Sequence, residues 1–282
     1  MRKISASIVL YHNNRDQLKK VIDSFFNTKH NVILYLIDNS ATDILKNVFS
    51  YDERIKYIFN NSNLGYGTAH NIAINKSINE GVKYHVVLNP DLYFDNIVIE
   101  ELFNYMEENK DVGNIMPKVL YPNGDFQYLC KLLPTPLDWF GRFISNYMPL
   151  QYFKKKNENF EMRFADFEDI LEVPYLSGAF MFLRNSTLKK SGLFDEFIFL
   201  HTEDTDLSRR IFEYSKNIYF PYVHIYHEHN REAYRSKKVM FLQIKSMIYY
   251  FNKWGWFFDK KRTLINRQTI LKYQNKLDVK KD

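Results

Sequence analysis

The chain reads as an α/β protein built on a mostly parallel central sheet flanked by helices. Three observations predict this. β-rich runs alternate with helix-period segments from residue 4 to residue 110, the pattern of repeated strand–helix units. The apolar run Val86-Val87-Leu88 stops abruptly at Asn89-Pro90, because proline cannot donate to a sheet ladder and restricts the residue before it. The carboxylates Asp38 and Asp91 each stand just past such a run, where ligands bind in open α/β sheets.

The elements follow in order. Ile4 to Leu10 alternates and predicts a first strand, and Tyr11 to Asn14 a loop. Leu18, Val21, Ile22, Phe25 and Phe26 recur at helical spacing, which predicts a helix over 16–26. Val32 to Ile37 is a second strand ending at Asp38, and Ile55 to Phe59 a third. Leu64-Gly65-Tyr66-Gly67 opens a helix that Gly81 closes. Tyr84 to Leu88 is the strand before Asn-Pro-Asp, Ile97 to Met106 an amphipathic helix and Val112 to Leu120 another strand. From Tyr121 to Glu172, four prolines and Lys154-Lys155-Lys156 break the pattern and predict an irregular, partly mobile insert on one face. A strand over 173–183 contains the small-residue gap Ser177-Gly178-Ala179, which permits close backbone or ligand approach. A helix from Glu203 to Tyr214 and a strand from Ile218 to Tyr226 precede His227, Glu228 and His229. The predicted organisation is a catalytic body over 1–230, in halves 1–110 and 111–230, then a basic, aromatic helical tail over 231–282.

Composition narrows the classes. One cysteine, Cys130, excludes a disulfide framework and a multi-thiolate metal site, which predicts a reducing, cytoplasmic setting. Met1-Arg2-Lys3 leads straight into a strand, so no leader is expected. No run of about 18 apolar residues predicts a membrane-crossing helix. The net charge of +6 is concentrated: Arg231 to Asp282 holds 14 Lys/Arg against 4 Asp/Glu, so the preceding 230 residues balance to −4. A near-neutral body offers no extended groove for phosphates, which argues against a nucleic-acid-binding protein.

Several patterns carry chemistry. Asp38 and Asp91 point toward one crevice if their strands are parallel; each taken alone also fits a strand-end turn. Asn63, Gly65, Tyr66 and Asn71 surround a helix N-terminus, a seat for phosphate or ribose. A dinucleotide fingerprint fails there, because His70 stands where the third glycine would be. Glu203-Asp204-Thr205-Asp206 packs three carboxylates into one first turn, more than dipole complementarity needs. Their mutual repulsion predicts a raised pKa for at least one, as suits a general base. His227-Glu228-His229 lacks the spacing of a zinc-protease helix, while one of His224, His227 and His229 fits a metal ligand opposite Asp91.

Taken in order, Ile8 to Tyr11, Ile37 to Asp43, Asn63 to Gly67 with Ala69 and Asn71, Leu88 to Asp91, Ser177 to Ala179, Phe194 to Glu196, Glu203 to Asp206 and His227 resemble glycosyltransferase family 2. The chain is most similar to the rhamnosyltransferase-like branch of bacterial surface-polysaccharide synthesis. This resemblance spans residues 4–230 and implies a GT-A (Rossmann-like) fold, a nucleotide-sugar donor (dTDP-L-rhamnose, or a UDP-sugar in the wider family), a divalent metal (Mg2+ or Mn2+) and inversion at the anomeric carbon. It implies Asp38 and Tyr11 at the donor base and Asn89 and Asp91 at the diphosphate, with Asp91 and His227 as metal ligands. Asp204 would be the general base assisted by Glu203, and Ser177, Gly178 and Asp206 would border a saccharide or lipid-linked saccharide acceptor. Asn89 replaces the first acid of the family's Asp-x-Asp-type motif, which removes one anionic ligand.

The tail leaves two readings open. Its apolar positions, with Trp254, Trp256, Phe257 and Phe258 among lysines, fit either a packing helix or a segment over 232–282 bound to an anionic membrane surface. A non-catalytic sugar-binding module also remains, and it would need neither Asp91 nor Asp204.

Overall fold

The computed structural model describes residues 3–49, 52–139, 151–228 and 237–279. His229 and residues 231–236 of the expected tail lie outside the described residues. Three parallel strands, β1 (Ile4–Leu10), β2 (Val32–Asp38) and β3 (Ile55–Phe59), form one flank of a nine-stranded sheet. Beyond β1 come β4 (Tyr84–Leu88), β10 (Phe180–Arg184), β6 (Val112–Leu120), β11 (Lys216–His227) and the short β5 (Leu92–Phe94). Two-residue strands complete the pattern. β8 (Leu171–Glu172) joins β11, while β7 (Cys130–Lys131) pairs β9 (Tyr175–Leu176) in a separate ribbon.

The sheet is mixed, and its longest ladders are parallel, as expected. β10 runs antiparallel to both β4 and β6, and β5 and β8 run antiparallel to β11. The expected strand over 173–183 breaks at Ser177-Gly178-Ala179 into β9 and β10, which belong to different sheets. That reversal has a consequence for the site. It brings the N-terminal end of β10 to the same sheet edge as the C-terminal ends of β1, β2 and β4.

Strand side chains alternate between two helical layers, as period-2 geometry requires. Val86, Leu88, Phe180 and Phe182 face the main core, to which α1 (Arg15–Phe26) contributes Leu18, Val21, Ile22 and Phe25. On the same side α3 (Ile97–Glu108) adds Val98, Ile99, Leu102 and Met106. Val87, Met181 and Leu183 face the other way, against α2 (Tyr66–Asn79), α5 (Asn185–Ser191) and α6 (Glu203–Ile211). On that second face lies a buried polar chain. Asn185 and Ser5 both donate to Ser77, Ser5 and Ser7 flank the two ring nitrogens of His85 at 2.8 Å, and Ser7 lies 2.7 Å from His70 Nδ1.

Two expectations change here. The described parts of 121–172 are core, not a loose insert: Cys130, Leu132, Leu133, Phe160, Met162 and Leu171 are buried in the main cluster, and α4 (Gln151–Phe160) leads into it. Prolines interrupted the periodicity without removing the apolar content. The tail is likewise part of the body. α7 (Lys237–Trp254) buries Met247, Tyr250 and Phe251, and α8 (Lys260–Val279) places Ile265 and Tyr273 in the main core. The described tail therefore packs on the body, the first of the two readings its sequence left open.

Candidate active site at the carboxyl ends of the strands

Register places the carboxylates. Leu10 lies opposite Asp38, and Ile8 lies opposite Leu88, so Asp38 and the turn Asn89-Pro90-Asp91 flank the end of β1 from either side. Asp38 is buried, with Oδ1 accepting from the Ser40 amide at 2.8 Å and Oδ2 from the Tyr57 hydroxyl. Burial and the Asp38 charge hold the Tyr57 phenol above its ordinary pKa, so it remains a donor. Tyr11 is exposed beside this corner, its ring edge-on to His12. Asn63 accepts from the Gly65 amide at 3.0 Å, and Asn39 donates to the Gly65 carbonyl at 3.2 Å, so this loop is tied to the end of β2.

Gly65 is required by two facts. Its φ is 87°, and a Cβ would lie 2.5 Å from the Phe199 carbonyl oxygen. The loop before α6 thus presses directly on the N-terminus of α2, and the Tyr66 amide donates to that same carbonyl at 3.0 Å. The Tyr66 hydroxyl shares its proton between Asn89 Oδ1 at 2.9 Å and the Gly178 carbonyl at 2.8 Å. Burial, then the charges of Glu203, Asp204 and Asp91, push that phenol well up. Tyr66 therefore joins the Asn89 turn to the glycine gap, with three carboxylates around it.

Asp204 faces that gap. Its Oδ2 accepts from the Gly178 amide at 2.8 Å and the Tyr175 hydroxyl at 3.1 Å, while Oδ1 accepts from the Thr205 amide at 2.7 Å. A Cβ on residue 178 would stand 3.1 Å from Asp204 Cβ, so the small residue is what lets the amide approach. Ser177 lies in the same gap, its Oγ 3.4 Å from the Ala179 amide. Just before the helix, His201 and Thr202 both adopt positive φ, 64° and 69°. Two consecutive left-handed residues with side chains cost about 1–3 kcal/mol each, and such strain gathers at functional sites. Glu203 is buried with Oε2 lacking a hydrogen-bond partner among the described residues. Burial first, and the neighbouring Asp204 charge second, push Glu203 well above the carboxylate range. The raised carboxyl of the acidic turn is thus Glu203.

Two expected site residues are committed elsewhere. Asn71 is buried, and its amide both donates to the Phe194 carbonyl at 2.9 Å and accepts from the Phe194 amide at 3.0 Å. Its side chain clamps the loop before α6 rather than facing the crevice. Asp206 is fully buried on the far side of α6, accepting from Trp254 Nε1 at 2.7 Å and Arg210 Nε at 2.8 Å and pairing with Lys253 at 2.8 Å. A carboxylate so occupied points away from the gap that Asp204 faces; helical periodicity puts it two positions from Asp204, on another face.

The metal candidates meet across β11. His227 lies opposite Leu92 in register, and the Glu228 amide donates to the Asp91 carbonyl at 3.0 Å. His227 Nε2 stands 3.3 Å from Asp91 Oδ1. Gln127 fixes the other ring nitrogen. Its amide donates to the His227 carbonyl at 2.8 Å, which turns Oε1 toward Nδ1 at 3.0 Å and makes Nδ1 the protonated nitrogen. That tautomer turns the Nε2 lone pair toward Asp91 Oδ1, so one imidazole nitrogen and one carboxylate oxygen converge. No group of three His, Cys, Asp or Glu gathers among the described residues. Asp91 and His227 would offer a hard cation one carboxylate oxygen and one imidazole nitrogen, two of the roughly six donors such an ion takes.

Sequence reasoning missed Tyr57, Tyr175 and Gln127. Tyr57 stands one pleat from the residue that pairs with Asp38, a position β-strand register could have flagged. Tyr175 and Gln127 reach their partners from segments 29 and 100 residues away, with no local signal.

Fold and site together define the GT-A kind of α/β scaffold, a mixed sheet with acidic side chains at one edge. A family model described as glycosyl transferase family 2 matches residues 7–192, and the chain belongs to that family. An uncharacterized glycosyltransferase of Methanocaldococcus jannaschii is 32% identical over 124 residues, 42% of this chain and 42% of that protein. Among solved structures, GalNAc-T7 with UDP, GalNAc and Mn2+ superposes with a TM-score of 0.63 at 13% identity, covering 89% of this chain and 48% of that one. S. aureus TarS 1–349 in complex with UDP gives 0.54 at 13% identity, covering 87% of this chain and 65% of that one. This chain thus matches less than half the length of the archaeal relative and of GalNAc-T7.

Proposed function

We propose that the chain transfers a sugar from a nucleotide donor to a hydroxyl of a saccharide or lipid-linked saccharide, with inversion. The observation that carries this is Asp204, aimed into the crevice by the Gly178 amide and Tyr175 and facing the Asp91–His227 pair across Tyr66. Asp204 accepts the proton of the acceptor hydroxyl as its oxygen bonds to the anomeric carbon, and the bond from that carbon to the diphosphate oxygen breaks on the opposite face. One carboxylate acting as base and one displacement give inversion. Asp91 and His227 would hold a divalent cation, which when bound would supply Lewis-acid neutralisation of the departing diphosphate. Tyr66, held as a donor between Asn89 and Gly178, keeps the two halves in register, and Glu203 raises the cost of a second charge beside Asp204. Asp38, with Tyr57 behind it, and Tyr11 would receive the donor's base.

The resemblance to the rhamnosyltransferase-like branch supports dTDP-L-rhamnose and a place in O-antigen or capsule synthesis, on the cytoplasmic face of a membrane. A UDP-hexose or UDP-N-acetylhexosamine is the second reading, favoured by the structural neighbours solved with UDP. The test is a thermal-shift panel of dTDP- and UDP-sugars with and without Mg2+ or Mn2+, followed by nucleoside diphosphate release. A ligand that binds only the folded state raises apparent stability. A metal-dependent shift with one nucleotide series, and turnover of that donor, is expected. Failure of every nucleotide sugar to bind would overturn the proposal, and binding without turnover would favour a sugar-binding module.

A further inference from the structure

The corner joining α7 to α8 is held with unusual completeness for a surface turn. Gly255 takes φ 101°, and its amide donates to the Phe251 carbonyl at 2.8 Å. Trp256 Nε1 donates to Asn252 at 2.8 Å, and its ring packs on Phe251. Asp259 is buried in a bidentate pair with Arg209, at 2.6 and 2.9 Å, and accepts from the Arg262 amide at 2.9 Å. Arg262 in turn donates to the carbonyls of Gly255 and Trp256. Between these anchors stand Phe257 and Phe258, 75% and 97% exposed. A rigid turn that presents two adjacent phenylalanines to solvent pays in hydration and gains nothing inside the fold.

The surroundings specify the partner's charge. From Lys237 to Gln274 the chain has nine lysines and arginines and one carboxylate, Asp259, which faces inward to Arg209. Carboxylates on other elements do reach this surface: Glu213 pairs Lys261, Glu172 pairs Lys272, and Asp195 and Asp206 pair Lys253. Lys245, Lys260 and Arg267 are exposed and form no ion pair among the described residues. Starting at the corner, Lys260, Leu264, Arg267 and Leu271 follow one exposed face of α8 at spacings of four, three and four. That helix is therefore apolar on both sides, with Ile265 and Tyr273 inward and Leu264 and Leu271 outward.

We propose that this corner and the outer face of α8 dock on an anionic lipid bilayer surface, Phe257 and Phe258 entering the interface while Lys260 and Arg267 meet lipid phosphates. Basic residues beside aromatic ones suit such a surface, the cations meeting lipid phosphates while the rings enter the interface. A protruding corner favours lipid over nucleic acid, whose bases stack in grooves. No described helix is long and apolar enough to cross a membrane, so the contact is peripheral. The proposal sharpens the membrane location given above and is read out without donor or acceptor, so its failure leaves sugar transfer untouched.

The experiment is sedimentation of the full chain with phosphatidylglycerol/phosphatidylcholine vesicles against phosphatidylcholine vesicles. Binding to the anionic vesicles that weakens with salt is expected. The double variant Phe257→Ser/Phe258→Ser should lose at least about tenfold in partition, and Lys260→Glu/Arg267→Glu about tenfold or more. All four positions are exposed, so melting curves should match the unsubstituted protein. Wild-type protein that ignores anionic vesicles, or a phenylalanine variant that binds them equally, overturns the proposal. So does a concentration-dependent dimer, or binding of a random oligonucleotide, that the phenylalanine variant abolishes while vesicle binding is absent.

Discussion

The two sides of the crevice, the proposed donor side at the strand ends and the α6 side, are built differently. At the ends of β1 and β2 the side chains are held from within the first strand–helix units: Asp38 by Ser40 and Tyr57, Gly65 by Asn63. On the α6 side the acidic turn is held from far along the chain. Gly178 and Tyr175 fix Asp204, while Trp254, Lys253 and the Arg209–Asp259 pair fix the back of the same helix. The difference teaches that α6 serves as a hinge point between chemistry and stability. Its front face carries Asp204, the proposed base, and its back face carries the bolts to α7 and α8.

That contrast can be broken from either face. Asp204→Asn should lower turnover by about 10²–10⁴-fold, the usual worth of a general base, while donor binding by calorimetry and urea stability stay close to wild type. Retained turnover would remove Asp204 as the base. Asp259→Ala leaves Arg209 charged and buried, and should cost about 3–5 kcal/mol in urea unfolding. Replacing both partners, Arg209→Met with Asp259→Leu, should recover most of that loss, and equal loss in single and double variants would refute the ion-pair account. For the same reason truncation at residue 237 is a stability lesion, since it removes Asp259 from Arg209 and Trp254 and Lys253 from Asp206 at once.

The next effect in size is pH dependence, which arises on the donor side. Burial lowers His85 to about 3 and His70 well below its ordinary value. Unfolded histidine takes its proton near 6.5, so below that pH the unfolded chain binds protons that the folded one refuses. Stability contributed by these groups is complete above pH 6.5 and falls as pH drops from there toward 3. Between pH 6.5 and 5 the loss should be about 2 kcal/mol per histidine, measured as urea midpoints across that range, and a flat profile would contradict their burial as neutral groups. The smallest expected effect is Tyr57→Phe, which removes the hydroxyl bonded to Asp38. It should weaken donor binding by about 1.5–3 kcal/mol, the worth of a hydrogen bond to a charge, with turnover at saturation nearly unchanged. A fall in turnover without weaker binding would place Asp38 outside the donor subsite.

The sequence by itself determined the strand–helix alternation, the strand ends at Asp38 and Asp91, and the acidic turn at 203–206. These are local facts: periodicity, a proline stop and charge spacing all lie within one element. It also carried, as an ordered set of motifs, the family to which the chain belongs. Only the tertiary structure decided that β10 reverses into the sheet, that Asp206 and Asn71 turn away from the crevice, and that the tail packs onto α6. Reversal depends on which edge is free to pair, and a side chain's partner depends on segments that arrive from 26 to 123 residues away. Spacing along one chain holds no record of such distances, so Asp204 and Asp206, two apart in one turn, were both expected at the crevice, where packing turns Asp206 toward Trp254 and Arg210.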